Sequence, residues 1–131
     1  MTITESFQQA AIFSALLVLL VTGLGVSVSL LRMRRGIYLG DGGDKGLSRA
    51  IRAHGNAAEH VPFLIAPLLI LGLLDAGATP IMVLGAASVV ARALHAGGRL
   101  GSKRPFTMIA ATITYLLEGG MAIWVLWIIS G

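Results

Sequence analysis

The chain has 131 residues, of which 56% are hydrophobic and 12% charged, and its mean hydropathy of +0.85 excludes a soluble domain of this length and indicates an integral membrane protein. Cysteine is absent, which excludes disulfide bonds, thiolate metal sites and a thiol nucleophile supplied by the protein. The formal net charge is +4, but the basic residues cluster in connecting segments instead of covering one face together with aromatic residues, so we expect no nucleic-acid partner.

The first hydrophobic segment predicts a membrane-spanning helix over residues 7–31. Its uncharged part begins at Gln9 and is long enough to cross a bilayer, and Arg32 ends it. A basic leading segment and a small-residue cleavage site are both missing from its sequence. We therefore interpret it as a retained helix rather than a signal peptide. The glycine-rich segment 40–46 that follows lacks the spacing of a phosphate-binding loop and indicates a tight turn.

The second predicted span, residues 47–74, begins with polar residues on one helix face. Only 14 apolar-dominated residues, 61–74, follow them, whereas a helix needs about 20 to cross a bilayer. The polar face must therefore enter the membrane, where ionisable side chains are costly and usually functional. At 100° per residue its members fall within about 80° of one another. They are Arg49, Arg52, Asn56 and Glu59.

The third predicted span covers residues 79–97, with Thr79 as the N-cap, Pro80 at the first helical position and the Gly97-Gly98 pair as its end. Near that end a second polar face lies within about 60° of the helix circumference. It consists of Arg92, His95 and Arg99.

The fourth predicted span covers residues 106–130, after Pro105. Glu118 lies near its middle, with Tyr115 three residues earlier, and we expect both to be buried structural residues. Glu118 could pair with Arg52 or Arg92, form a hydrogen bond between subunits, or be a protonated carboxylic acid.

Charge asymmetry gives the predicted orientation of these spans. Eight of the ten basic residues lie in or beside the two segments that connect the first span to the second and the third to the fourth. By the positive-inside rule these segments face the cytoplasm, so both termini are non-cytoplasmic. The two polar faces then share a depth, and we expect them to meet in one pocket with Glu59 paired to an arginine.

Other interpretations of the polar residues stay open. Arg49 lies near the helix end, and its long side chain can also extend to the water at the membrane surface. Asn56 and Glu59 lie too deep, and their side chains are too short, for this explanation. The arginines and histidine of the third span also suit a cytoplasmic helix end, where basic residues accumulate. His54 lies away from the polar face and is expected to make a loop or backbone contact. The histidines lack metal-ligand spacing, so we expect no metal site.

The residues resemble the MAPEG family (membrane-associated proteins in eicosanoid and glutathione metabolism), in particular its bacterial branch. The resemblance covers nearly the whole chain as one domain, residues 1–131. It depends most on Gly40-Asp-Gly-Gly, on the run from Arg49 to Glu59 with Pro62, and on Arg92-Ala-Leu-His95. It implies an all-α integral membrane four-helix bundle, a homotrimer in the bacterial inner membrane, with sites between neighbouring subunits that open to the cytoplasm.

The resemblance also implies glutathione as a cosubstrate and membrane lipid and a hydrophobic small molecule as partners. Arg52, Asn56 and Glu59 match the family's site positions on the second helix, His54 matches a residue beside them, and Arg92 matches the arginine of the third helix. Guanidinium groups can bind carboxylates in a bidentate manner, which suits glutathione. The full set of expected ligand-binding residues is Arg49, Arg52, His54, Asn56, Glu59, Arg92 and His95.

One departure from the family pattern concerns thiolate activation. The eukaryotic relatives that use glutathione have an arginine, and sometimes a serine, early in the fourth helix, and residues 105–111 contain neither. Arg99 and Arg104 are candidate catalytic residues, because a nearby cation lowers the pKa of a thiol. Thr107 is a third candidate, as the only hydroxyl close by.

Two functional hypotheses follow. The first is a glutathione S-transferase or peroxidase that acts on hydrophobic electrophiles. The second is a non-catalytic protein that binds lipid or a small molecule, or an accessory subunit of a membrane complex. A proton-coupled exporter that uses Glu118 is less consistent with the sequence, because four-helix exporters have their carboxylate in the first span and this one has none there.

Overall fold

The structure is a computed structural model that describes residues 3–131. Over these residues the chain forms four α-helices, each long and apolar enough to cross a membrane. They are α1 (Glu5–Arg35), α2 (Lys45–Leu73), α3 (Ala78–Leu100) and α4 (Arg104–Ser130). No strand occurs within the described residues. The protein is therefore an all-α, multi-span bundle.

The predicted spans fall within these helices, except that Leu74 is the residue after the last turn of α2. Both predicted ends of α3 are wrong. Gly77, which has a φ of 103°, precedes the helix in place of Thr79, so Pro80 lies in the first turn, where backbone N–H groups lack intrahelical acceptors. At the other end α3 continues through Gly97 and Gly98 to Leu100.

Gly98 serves the packing of α3 against α4 and does not mark the end of the helix. A Cβ atom there would lie 2.6 Å from Thr107 Oγ1 and 3.0 Å from the Thr107 backbone nitrogen. Glycine thus allows the end of α3 to pack directly on the start of α4.

The turn between α1 and α2 is held by side chains from both helices. Gly36 ends α1 in the left-handed conformation. Arg32 Nη1 then donates a hydrogen bond of 2.7 Å to the Gly40 carbonyl. Asp44 caps α2 by accepting a hydrogen bond of 2.7 Å from the Leu47 backbone N–H, and it also forms an ion pair with Arg35. These contacts fix where α2 begins, and therefore where its polar face lies.

The α2 and α3 helices pack against each other, and α1 and α4 lie on opposite sides of this pair without contacting each other. The apolar core contains side chains from all four helices, including Leu17, Leu64, Ile81 and Met121. Many of the apolar residues of α1 and α4 are exposed, as expected for surfaces that face lipid. The two short connections, residues 36–44 and 101–103, lie together at what we call the basic end.

Candidate functional site

Two adjoining hollows at the basic end form a single recess, which we call the basic cleft. One has a volume of about 360 Å³ and lies among α2, α3 and α4, and the other, of about 450 Å³, extends to the α1–α2 turn. They share Arg49, Arg52, Arg99 and Ser102. The rest of the first hollow is lined by Gly98, Arg104, Thr107 and Met108.

Three helix ends bring these arginines together. Arg49 and Arg52 lie one turn apart near the start of α2, Arg99 lies in the last turn of α3, and Arg104 is the first residue of α4. Arg49 Nη1 donates a hydrogen bond of 2.7 Å to Ser102 Oγ in the α3–α4 turn. This contact joins α2 to the α3–α4 turn at the edge of the cleft.

The basic cleft is strongly cationic. Within residues 3–131 none of its four arginines forms an ion pair. The two carboxylates at its margin have other partners: Asp44 contacts Arg35, and Asp41 accepts a hydrogen bond of 3.0 Å from the Gly43 backbone N–H. That hydrogen bond lowers the pKa of Asp41, and the nearby Ser48 side chain acts in the same direction. The cleft is therefore suited to an anion from outside the chain.

Arg92 lies beneath the cleft and does not line it. Its guanidinium is buried and donates hydrogen bonds to Asn56 Oδ1 at 2.7 Å and to Thr114 Oγ1 at 3.4 Å. Its Nε atom and the Nδ1 atom of buried His95 have no hydrogen-bond partner within the described part of the chain. Asn56, Arg92 and Thr114 thus form an internal polar layer within a single subunit, and buried His95 lies three residues after Arg92 on α3.

Two residues of the expected ligand-binding set point elsewhere. Glu59 is exposed and forms no ion pair within residues 3–131, so the expected pairing with an arginine is not formed inside one subunit. His54 packs on α1 at Gly25, where a Cβ atom would lie 3.1 Å from its Nε2 atom. Helical spacing gives the angle between residues on a helix, but it does not identify which neighbouring helix each of them faces.

Tyr115 was expected to be buried, and this is wrong for the single chain, in which it is 61% exposed. The reason is that α4 packs only on α2 and α3 and leaves its other side open. Glu118 is partly buried, and its Oε1 atom lies 2.9 Å from His60 Nδ1. The suggested arginine partners of Glu118 are therefore replaced by a histidine that the sequence analysis had not selected.

A depth count could have found the His60–Glu118 pair. Both α2 and α4 start at the basic end, His60 is 15 residues after Lys45, and Glu118 is 14 residues after Arg104. At 1.5 Å per residue both lie about 21–23 Å from their helix starts. Polar residues at equal depth on adjacent helices are candidates for contact.

Comparison with known proteins identifies a family and individual relatives with similar sequences. The family model described as the MAPEG family matches residues 10–127. The chain is also similar to the inner membrane protein YecN of Escherichia coli K12 and to YecN of Escherichia coli O6:H1. Each is 33% identical over 86 residues, which are 66% of this chain and 66% of the relative. The matched region thus spans about two thirds of the length of these relatives.

Proposed function

The chain belongs to the MAPEG family and is a multi-span membrane protein, and on this premise we propose that it binds glutathione in the basic cleft and uses it as a transferase or peroxidase on hydrophobic electrophiles. The observation that carries the proposal is the convergence of Arg49, Arg52, Arg99 and Arg104 on one recess without internal counter-ions within residues 3–131. Glutathione has two carboxylates, and each can accept two parallel hydrogen bonds from a guanidinium group.

The chemistry would depend on a thiol that the substrate brings, since the chain has no cysteine. Arg99 and Arg104 both line the cleft, so either guanidinium could stabilise the thiolate and lower the pKa of the bound thiol. The thiolate would then attack an electrophilic carbon, the new C–S bond would form, and the leaving group would depart with its electron pair. With a hydroperoxide, the thiolate would attack the outer oxygen, so that an S–O bond forms as the O–O bond breaks and the alkoxide leaves and takes up a proton to become the alcohol. A second glutathione would then attack the sulfur of the resulting sulfenic acid, forming the disulfide and releasing water.

Assembly into a homotrimer is part of this proposal. Glu59 and Tyr115 are exposed on helices that cross the membrane, and exposing such polar side chains to lipid is unfavourable. Neighbouring subunits that cover them would remove this cost and would bring Glu59 close to a site formed at the subunit boundary. We place the basic end in the cytoplasm, because basic connecting segments are retained there, and the protein in a bacterial inner membrane, the location in the relatives' name.

Calorimetry with glutathione tests the proposal directly. We expect Arg52→Ala to weaken binding by about tenfold or more, since it removes a charge-assisted hydrogen bond. Arg34→Ala is the matched control, because it removes the same charge at the basic end from a residue that does not line the cleft. Oligomeric state is measured in parallel, so that loss of assembly is not mistaken for loss of a ligand contact. Equal affinities of the two variants would contradict the assignment of the cleft.

Activity needs a separate measurement. Ultraviolet absorbance of the thiolate on adding glutathione, together with conjugation of a chloronitrobenzene, would show that the bound thiol is activated. We expect Arg104→Ala to reduce the thiolate signal more than it reduces binding, because its guanidinium would stabilise charge rather than hold the carboxylates. Binding without any thiolate signal would exclude the transferase.

A non-catalytic lipid-binding or accessory role is the second candidate, and one hydrogen bond and one groove favour it. The Thr107 hydroxyl already donates to the Lys103 carbonyl at 3.3 Å, which reduces its availability to a thiol. An apolar groove of about 590 Å³ between α3 and α4 meets the basic cleft at Gly98, and it could hold the chain of an anionic lipid. Lipid retained after purification, with no heat of glutathione binding, would support this role.

A further inference from the structure

Ser102 lies in the α3–α4 turn and lines both hollows of the basic cleft. Its Oγ atom accepts a hydrogen bond of 2.7 Å from Arg49 Nη1, across a sequence separation of 53 residues. Because Ser102 lies between the end of α3 and the start of α4, the spacing of polar residues along a helix could not select it. Ser102 is thus a polar link between two of the helix ends that form the cleft.

The backbone at Ser102 has a conformation that favours glycine. Its φ is 56°, in the left-handed region, where a side chain is unfavourable. The Lys103 N–H donates to the Gly98 carbonyl at 2.8 Å, and the Ser102 N–H donates to the Arg99 carbonyl at 3.3 Å. Glycine commonly closes a helix with this pair of hydrogen bonds. Serine therefore occupies this position at a cost in stability, and such costs are concentrated at functional sites.

The hydroxyl group of Ser102 supplies a donor that glycine would lack. An alcohol oxygen that accepts a hydrogen bond can still donate its own hydrogen, and no acceptor for the Ser102 hydrogen is found within residues 3–131. Arg49 has five N–H donors, of which this contact occupies one. Both residues line the cleft, so they offer it adjacent donors, and a carboxylate has two oxygens that can accept from both.

We propose that Ser102 and Arg49 together bind one carboxylate of the ligand, with the Ser102 hydroxyl donating to one oxygen while it holds the Arg49 guanidinium in place for the other. The inference rests on the proposed binding of glutathione in the basic cleft, and it assigns one of the two glutathione carboxylates to this pair. Ser102 binds and positions, and it takes no part in activating the thiol. This contact explains why serine is present where the backbone favours glycine.

Two substitutions of Ser102 separate ligand binding from stability. Ser102→Ala and Ser102→Gly both remove the hydroxyl, but only glycine relieves the backbone. We expect each to weaken glutathione binding about fivefold, as measured by calorimetry in neutral detergent, because each removes one hydrogen bond to the ligand. We also expect the glycine variant to unfold about 2–5 °C above the alanine variant. If the affinity instead follows the unfolding temperature, the role of Ser102 is structural and the proposal is overturned.

Modified ligands test whether the hydroxyl acts on a carboxylate. In glutathione ethyl ester the carboxylate of the glycyl end is uncharged, and the carboxylate of the glutamyl end is missing when γ-aminobutyrate replaces the glutamyl residue. We expect Ser102→Ala to weaken binding of one of these probes about fivefold and to leave the affinity for the other unchanged, because a substitution cannot weaken a contact that the ligand no longer makes. Equal effects on both probes would contradict the assignment to a carboxylate.

The wild-type protein separates this proposal from the function on which it depends. If the wild type binds glutathione and the Ser102 variants bind it equally well, the proposed function stands and the carboxylate site is wrong. If the wild type does not bind glutathione, the proposed function fails, and the pair is tested with glutarate, a dicarboxylate without a thiol. Binding of glutarate that Ser102→Ala weakens would support the carboxylate site alone. Failure to bind either molecule would overturn both.

Discussion

Arg92 Nη2 donates a hydrogen bond of 2.7 Å to Asn56 Oδ1, which joins α3 to α2 directly below the basic cleft. Arg92 is 1% exposed, and its other contact, to Thr114 Oγ1, is longer at 3.4 Å. No carboxylate lies within ion-pair distance of Arg92 among residues 3–131. Amide and hydroxyl oxygens thus solvate this buried charge, and the layer that they form supports the cleft above it.

The first prediction concerns this layer. Asn56→Leu leaves the Arg92 guanidinium without its short hydrogen bond, and we expect it to lower the free energy of unfolding by about 2–4 kcal/mol. Thr114→Val removes the longer contact with little change in shape, and we expect a loss of about 1 kcal/mol or less. Thermal unfolding in detergent compares the two variants. A larger effect of the threonine substitution would contradict the order given by the distances.

Hydropathy and charge were sufficient to place the four helices, because a bilayer requires long apolar segments whatever their neighbours are. They could not place the ends of α3. The Gly97-Gly98 pair indicates a helix end when read locally, but Gly98 is needed for the packing of α3 on Thr107. Such a contact between helices leaves no signal in the local sequence.

The candidate site was predicted in part for a similar reason. Helical spacing grouped Arg49 and Arg52, and both line the basic cleft. The same spacing grouped Glu59 with them, yet Glu59 is on the exposed surface and outside the cleft within one subunit. A helix of this length passes several neighbours, so residues on one face at different depths meet different surroundings. His60 and Glu118 needed a comparison of depth between helices, which periodicity within one helix does not provide.

The second prediction uses adjacent glycines at the end of α3. Gly98→Ala places a methyl group 2.6 Å from Thr107 Oγ1 and 3.0 Å from a backbone nitrogen, so α4 must shift. We expect a loss of about 1–3 kcal/mol in stability and a change in the shape of the cleft. Gly97→Ala meets no atom within 4 Å and should stabilise α3 by about 0.5–1 kcal/mol. Denaturation midpoints distinguish the two, and destabilisation by both would show that helix packing is not the cause.

The third prediction concerns the pH dependence of the α1–α2 turn. The Gly43 N–H and Ser48 hold the pKa of Asp41 below its ordinary value of 3.8. At acidic pH the folded turn therefore binds fewer protons than the unfolded turn. The contribution of the Asp41 carboxylate to the stability of the turn is complete above the ordinary pKa and is lost as the pH falls through the lowered one. We expect amide protection of residues 40–44 to fall as the pH decreases below the ordinary pKa of 3.8 and passes through the lowered one.

Asp41→Asn is the control for this effect. Its amide oxygen can still accept a hydrogen bond from the Gly43 N–H but does not titrate in this range. Amide exchange of the two proteins, compared at each pH, separates titration of Asp41 from the intrinsic pH dependence of exchange. An unchanged profile in the variant would assign the acid sensitivity to another group.

The fourth prediction concerns the cost of keeping four arginines in one cleft. Their charges repel one another when no anion is bound, and residues 3–131 supply no counter-ion to any of them. We therefore expect Arg104→Gln to raise the unfolding midpoint of the ligand-free protein by about 1–3 °C at low salt and to reduce the stabilisation by glutathione. Arg34→Gln removes the same charge from the exposed end of α1, outside the cleft, and should change neither quantity appreciably. Thermal unfolding with and without glutathione, at low and high salt, measures both effects. If the two variants behave alike, the total charge at the basic end controls stability, and the cleft does not. A difference between the variants that disappears at high salt would identify repulsion between the cleft arginines as its cause.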